Sequence, residues 1–147
     1  MIQDFEFFHG TVLTKLVHSN LFKTIQAFGK SNSSYLIDDK IGLYIKYSTK
    51  RMAPWSFSFL QEHINELKDM VDLIGKAFVC LVCNDDGVCC LDWQEFCTII
   101  SIESIVFPKW IRTSRKKNEK YSVHGCDGEL KHKIGISDFP SKLKNNK

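Results

Sequence analysis

Apolar residues recur at helical spacing in two long segments of the chain. In the first segment they stand at positions 5, 8, 12, 13, 16 and 17, which predicts a helix over Phe5–Ser19 that ends at Asn20. In the second they stand at positions 60, 64, 67, 70, 71 and 74, which predicts a helix over Leu60–Ile74 closed by Gly75. Each helix therefore has one apolar face to bury.

The other segments either alternate between apolar and polar residues or are continuously apolar, as strands are. The predicted strands are LFKTIQAF (21–28), SSYLID (33–38), IGLYIKYS (41–48), WSFSF (55–59), KAFVCLVC (76–83), VCCLD (88–92) and KWIRTS (109–114), and a late hairpin joins KYSVHG to GELKHKI. KAFVCLVC is apolar throughout, which is typical of a strand covered on both faces.

The order of these elements indicates a fold class. A helix, three antiparallel strands, a helix and a strand predict an α/β or α+β fold with a central mixed sheet flanked by helices and followed by the C-terminal β-hairpin. A short third helix should begin after Asp92, which has capping-box spacing to Glu95, and run to about Ile102. With 147 residues, the chain is the size of one domain. Its last ten residues, DFPSKLKNNK, are predicted to fray.

Charge is distributed unevenly along the chain. Residues 1–108 contain nine Lys and Arg against thirteen Asp and Glu, a net charge of −4. Residues 109–147 contain eleven against four, a net charge of +7. A basic C-terminal extension of this kind predicts a polyanionic partner. The alternative is a solvated segment that keeps the protein in solution.

Composition and the cysteines indicate the compartment. Hydrophobic residues make up 44% of a chain that has no apolar run of the ~18–20 residues needed to cross a bilayer. The N-terminal MIQDFEFFHG is not a signal peptide, so a cytoplasmic protein with no membrane partner is predicted. Cys80 and Cys83 lie three apart in a strand and should face opposite ways, which favours packing over the alternative of a zinc site.

One stretch carries a family resemblance. IGLYIKYSTKRMAPWSFSFLQEH, together with the αβββαβ order, resembles the restriction-endonuclease-like PD-(D/E)xK nuclease superfamily over Phe5 to about Cys83. The resemblance implies a nuclease-like core over residues 1–108 and Mg²⁺-dependent phosphodiester hydrolysis. In that chemistry two carboxylates hold the cation and a lysine positions the attacking water. Lys46 matches this lysine, but Tyr44 occupies the position of the expected glutamate.

The second expected carboxylate is also in doubt. Asp38 and Asp39 lie at the tip of the predicted hairpin, on the order of 20 Å from Lys46 at the usual rise of a strand. A two-residue turn at Asp39–Lys40 would place Tyr35 opposite Tyr44 and Ser33 opposite Lys46, and neither is an acid. Glu6 or His9 from the first helix, or a bulge that returns Asp38 to the lysine, would be needed for activity. The predicted site is therefore catalytically degenerate and needs no cofactor; Mg²⁺ is implied only if it is active.

Cations and an aromatic residue suggest what the scaffold does instead. The candidate nucleic-acid-binding residues are Lys46, Lys50, Arg51, Trp55, Arg112, Arg115, Lys116, Lys117 and Lys120. For Trp55, core packing is at least as good an interpretation as stacking on a base. The sequence thus predicts a DNA- or RNA-binding protein in DNA processing or defence. The alternatives are an active Mg²⁺-dependent endonuclease with an unconventional carboxylate set and a protein–protein interaction or inhibitor subunit.

Overall fold

A computed structural model of the chain describes residues 1–145. It contains three α-helices, nine strands and a 3₁₀ helix within that range. The helices are α1 (Asp4–Ser19), α2 (Gln61–Ile74) and α3 (Trp93–Ile99), and the 3₁₀ helix is Ser141–Lys144. The strands are β1 (Ile25–Ala27), β2 (Ser34–Ile37), β3 (Ile41–Ser48), β4 (Trp55–Phe59), β5 (Ala77–Cys83), β6 (Val88–Asp92), β7 (Lys109–Ser114), β8 (Ser122–Gly125) and β9 (Gly128–Glu129). The predicted α+β class and the late hairpin are confirmed.

The strands form two sheets. The large sheet has the order β1-β2-β3-β5-β6 and is mixed, because β3 and β5 run parallel while its other neighbours are antiparallel. The small sheet has the order β4-β7-β8-β9 and is antiparallel. WSFSF is thus the edge strand β4 of the second sheet and not part of the first.

Both faces of the large sheet are covered. On one face, Leu43 and Ile45 of β3 pack with Val12 and Leu16 of α1. On the other face, Tyr44 packs in a larger cluster with α2, α3 and the inner side of the small sheet. All seven residues of β5 are buried, as its apolar run predicted. Cys80 and Cys83 fall in different clusters, on opposite faces.

The basic C-terminal quarter contributes to this core. Strand β7 pairs with β4 along five residues, and Ile111, Tyr121 and Val123 are buried in the same cluster as α2. The net charge of the chain changes sign after Pro108, but the residues on both sides of this position pack into one core. The predicted fraying of the C-terminus is wrong for residues 138–145, because Phe139 and Leu143 are buried against β5 and β6; residues 146–147 lie outside the described part.

Local chemistry fixes the element ends. Asn20 and Gly75 end their helices in the left-handed conformation, at φ 59° and 87°, as the sequence indicated. The Asp92–Glu95 capping box is present, but α3 ends at Ile99, three residues before the predicted end. Ile100 is fully buried in an extended conformation, and the next amide, of Ser101, donates to a side chain outside the helix. Within residues 1–145, no helix has both the length and the apolar character needed to cross a membrane.

Candidate functional site

Lys46 lies on β3 between α2 and the edge strand β4. Its Nζ is 3.3 Å from Nδ1 of His63 and 5.0 Å from the centre of the Phe59 ring. It makes no salt bridge with any residue of the described part of the chain. Burial lowers the pKa of Lys46 from its ordinary 10.5 to about 8, and the charge of the Glu66 carboxylate opposes this shift. The lysine is therefore a partly desolvated cation with a neutral partner.

The hydrogen bonds of His63 fix its protonation. Its Nδ1 accepts the backbone N–H of Leu60 at 3.0 Å as well as a proton of Lys46. A nitrogen that accepts from two donors carries no proton, so the proton of the neutral ring is on Nε2. Burial and the charge of Lys46 lower the pKa of His63, which agrees with a neutral ring.

Hydroxyl groups and one carboxylate lie beside Lys46. Ser34, and not the expected Tyr35, stands opposite Tyr44, because the turn has three residues instead of two. The Ser34 hydroxyl donates to Oε2 of Glu66 on α2 at 2.8 Å. Tyr44 is fully buried, and burial together with the Glu66 carboxylate raises its pKa. Glu66 is the acid of this cluster, and nothing in the sequence distinguishes it from the other acids of α2.

Asp38 and Asp39 shape the hairpin turn and do not approach Lys46. Both have positive φ, at 52° and 57°. Asp38 Oδ1 accepts the backbone N–H groups of Lys23 and Thr24 at 2.7 and 3.0 Å, and these bonds hold its pKa below the usual range. Asp39 accepts from the Gln26 side chain at 2.7 Å. As catalytic candidates they are separated from Lys46 by the length of the regular strand β3, and both carboxylates are engaged at the turn.

Glu6 and His9 do not complete the site either. Glu6 is exposed and accepts the backbone N–H of Gln3 at 2.9 Å, which closes the first turn of α1. His9 is buried, and its Nδ1 lies 2.9 Å from the Tyr35 hydroxyl. Tyr35 packs on the α1 side of the large sheet, whereas Lys46 contacts residues on the α2 side. Neither residue adds a carboxylate beside Lys46, because Glu6 is engaged at the start of α1 and His9, although it lines a cavity together with Lys46, is bonded to Tyr35.

These neighbours do not fit a Mg²⁺ ion. Magnesium takes oxygen ligands, carboxylates above all, in near-octahedral geometry. The carboxylate nearest Lys46 in this cluster, Glu66, already accepts a hydrogen bond from Ser34 and lies beside the Tyr44 phenol. Across residues 1–145, no three His, Cys, Asp or Glu side chains are grouped so that they could hold a metal ion. The observed cluster is a hydroxyl–carboxylate network next to a lysine.

The fold brings basic residues from two distant segments to one end of the small sheet. Because β4 and β7 are antiparallel, the loop before Trp55 and the loop after Ser114 lie at the same end. The Trp55 indole donates to the Lys50 backbone carbonyl at 3.0 Å, and its ring meets the Tyr121 ring edge-on at 6.2 Å between centroids. The five exposed cations of these loops form the basic end: Lys50, Arg51, Lys116, Lys117 and Lys120.

Two of the expected contact residues have structural roles instead. Trp55 is only 3% exposed, so its ring packs in the core and cannot stack on a base. Arg115 is held by both oxygens of Asp86, with Nε–Oδ2 at 2.7 Å and a second nitrogen–Oδ1 contact at 3.0 Å. This ion pair raises the pKa of Arg115 and neutralises its charge locally. None of the five cations of the basic end is paired in this way with a described residue.

A second aromatic and basic surface combines the predicted Arg112 with Trp110 and His124, which the sequence did not indicate as contact residues. Arg112 lies in register between Ser56 of β4 and His124 of β8, on the outer face of the small sheet. Its guanidinium carbon is 4.7 Å from the centre of the Trp110 ring, and the Trp110 and His124 rings meet edge-on at 5.4 Å. We call Ser56, Trp110, Arg112 and His124 the outer face. The alternation of KWIRTS already placed Trp110 and Arg112 on one side of the strand.

No family is shown for this chain. Comparisons with models of protein families, with curated proteins and with solved structures each found no significant match.

Proposed function

We propose that the protein binds DNA or RNA through the basic end and the outer face of the small sheet, and that it does so without cutting the strand. The observation that carries this proposal is the convergence of Lys50 and Arg51 with Lys116, Lys117 and Lys120 at one end of the sheet. In the cell it would act as a recognition subunit or accessory factor in DNA processing or defence. Its proposed location is the cytoplasm, in keeping with six free cysteines.

The physical basis is phosphate neutralisation. Exposed cations that have no carboxylate partner release counterions when they contact a phosphate backbone, which gives affinity that falls steeply with salt. The basic end has five such cations from two loops, and Arg112 continues the charge onto the outer face. Trp110 and His124 add aromatic rings on which a base can stack at the same surface.

The residues around Lys46 are the reason why the proposed function does not include cleavage. A lysine beside a neutral histidine, two hydroxyls and one engaged carboxylate lacks the pair of acids that a divalent cation needs. The basic residues, by contrast, remain available for binding. Binding and hydrolysis are thus separable in this chain.

Fluorescence anisotropy with labelled single-stranded and duplex oligonucleotides, measured over a series of salt concentrations, tests the proposal. We expect log–log plots of affinity against salt with a steep negative slope. A triple variant, Lys50→Gln with Lys116→Gln and Lys117→Gln, should reduce that slope by up to ~3, about one for each lost phosphate contact. Lys15→Gln, which removes an exposed lysine of α1, is the matched control and should leave the slope unchanged. No binding to any oligonucleotide at low salt would overturn the proposal.

A further inference from the structure

A polar cavity opens beside Lys46. It has a volume of about 550 Å³ and lies between the start of α1, the segment before β2, the end of β3 and the edge strand β4. Its polar wall consists of a cation, an amide, an imidazole and five hydroxyl-bearing side chains, namely Lys46, Asn32, His9, Ser33, Tyr47, Ser48, Thr49 and Ser56. None of the residues that line it within the described chain is Asp or Glu.

Two hydroxyl groups of this wall, those of Ser48 and Ser56, are able to donate to a ligand. Ser48 Oγ accepts the backbone N–H of Lys50 at 3.2 Å, and Ser56 Oγ accepts Nε of Arg112 at 3.2 Å. Each oxygen already has a donor, so its own proton remains for a ligand. Lys46 gives one proton to His63 and has two more. The cavity therefore presents donors from three side chains, those of Lys46, Ser48 and Ser56.

No side chain of the cavity wall balances the charge of Lys46, and the Glu66 carboxylate that interacts with the lysine lies outside that wall. Lys46 forms no salt bridge with residues 1–145, and a partly buried cation is stabilised by a nearby anion. Arg112 adds positive charge behind Ser56. A cavity with one direct cation, one indirect cation, several hydroxyl donors and no acid in its wall is complementary to an oxyanion.

We propose that this cavity binds a phosphomonoester dianion, in which the terminal phosphate contacts Lys46, Ser48 and Ser56. A phosphomonoester has three terminal oxygens, each able to accept more than one hydrogen bond, and so matches a wall richer in donors than a carboxylate needs. The volume falls within the range of small-ligand sites, about 300–1,000 Å³, and admits a mononucleotide. Phe5 and Tyr47 supply the apolar part of the wall for the organic portion of the ester.

The phosphate has two sources, a free mononucleotide or the phosphorylated end of a strand. The proposal stands on the cavity and does not require strand binding by the basic end. Titration calorimetry with inorganic phosphate, AMP and adenosine tests the free source. Anisotropy with one oligonucleotide carrying either a 5′-phosphate or a 5′-hydroxyl tests the strand end.

We expect phosphate and AMP to bind while adenosine does not. Lys46→Met should weaken AMP binding ~10-fold or more, the usual loss for a charge-assisted hydrogen bond. Ser56→Ala, at an exposed position on an edge strand, should weaken it a few-fold without affecting folding, and Lys15→Gln should leave it unchanged.

A preference for the 5′-phosphorylated oligonucleotide that Lys46→Met abolishes would identify the strand end as the source. AMP binding without that preference would identify the free nucleotide. Equal heats for AMP and adenosine, or phosphate binding that survives both variants, would overturn the proposal. If only the basic-end variant loses binding to oligonucleotides with a 5′-hydroxyl, the result bears on the proposed strand binding. It does not bear on phosphate binding in this cavity.

Discussion

The ammonium group of Lys46 donates to a histidine, His63, and not to a carboxylate, across 3.3 Å. A neutral imidazole satisfies a hydrogen bond but provides no compensating charge. The positive charge of Lys46 is therefore retained in a partly buried position at a cost to stability. Residues kept at such a cost are often functional, which is consistent with a role for this lysine in ligand binding.

Lys46→Met should stabilise the folded protein at neutral pH. The native pKa of about 8 lies below the ordinary 10.5, so the folded state binds the proton less tightly than the unfolded chain. The penalty is fully present below pH 8 and is relieved as pH rises from about 8 to 10.5. We expect a gain on the order of 1–3 kcal/mol at pH 7 in urea unfolding, towards the lower end because solvent reaches part of the side chain.

The pH profile provides the control for this substitution. In the wild type, the free energy of unfolding should rise between about pH 8 and 10 relative to that of Lys46→Met, until the two converge. His63 keeps its hydrogen bond from the Leu60 backbone in the variant, so no buried acceptor is orphaned. A constant difference between the two proteins across this range would contradict the lowered pKa.

Glu66→Ala should destabilise the protein by about 1–3 kcal/mol. The Glu66 carboxylate accepts from Ser34, which is 1% exposed, and lies beside the buried Tyr44 phenol, so its removal leaves buried hydroxyls without a partner. Glu62→Ala, one turn earlier at an exposed position on the same helix, is the matched control and should change the free energy of unfolding by less than about 0.5 kcal/mol. If the two substitutions changed the free energy of unfolding equally in urea denaturation, the hydrogen bonds of Glu66 would not contribute to stability.

Asp127→Ala should destabilise the protein more than Glu66→Ala does. Lys109 is 2% exposed, and its Nζ lies 2.7 Å from Oδ2 of Asp127, which also accepts the Ser101 amide at 2.7 Å. Removing the carboxylate leaves a buried ammonium unpaired, at a cost of about 3–5 kcal/mol. A double variant with Lys109→Met should recover much of the loss in thermal unfolding, and failure to recover would show that Asp127 acts mainly as a cap.

The same pair makes stability depend on pH in acid. The hydrogen bond from Lys109 holds the pKa of Asp127 below its ordinary value, so this contribution is complete above about pH 4 and is lost as pH falls through the lower native pKa. We expect the acid unfolding midpoint of Asp127→Asn to shift to higher pH than that of the wild type. An unchanged midpoint would contradict the assignment.

Periodicity in the sequence was sufficient to identify the elements but not their pairing. The helices α1 and α2 and the buried strand β5 follow from apolar spacing, and their ends follow from Asn20 and Gly75. The two-sheet arrangement does not, because nothing in WSFSF shows that it pairs with a strand more than fifty residues later. The one-residue error in the hairpin arose because Asp38 and Asp39, both at positive φ, form the centre of the turn, which leaves Lys40 unpaired before the first strand pair, Ile37–Ile41.

In the candidate site, too, the sequence indicated some residues, while others could be found only from the structure. The sequence identified Lys46 as unusual and Asp38 and Asp39 as turn formers. It could not find Glu66 or His63, whose positions depend on how α2 packs across β3. A lysine is usually exposed and a tryptophan usually buried, but Lys109 and Trp110 are the reverse. Lys109 is buried in an ion pair with Asp127, and Trp110 is on the outer face. In both cases the position of the side chain depends on contacts with residues that are distant in the sequence.

Incubation with supercoiled plasmid and Mg²⁺ or Mn²⁺ should produce no cutting above the level of buffer. Two-metal or one-metal hydrolysis needs carboxylates to hold the ion, and Lys46 has Ser34, Tyr44 and Glu66 around it in place of an acid pair. Gel analysis of nicked and linear product, with Lys46→Ala as the paired protein, checks this. If the wild type cut and Lys46→Ala did not, the cluster would be an active centre with an unconventional ligand set. Equal cutting by both proteins that persists after further purification would contradict the prediction and exclude Lys46 as the centre of the activity.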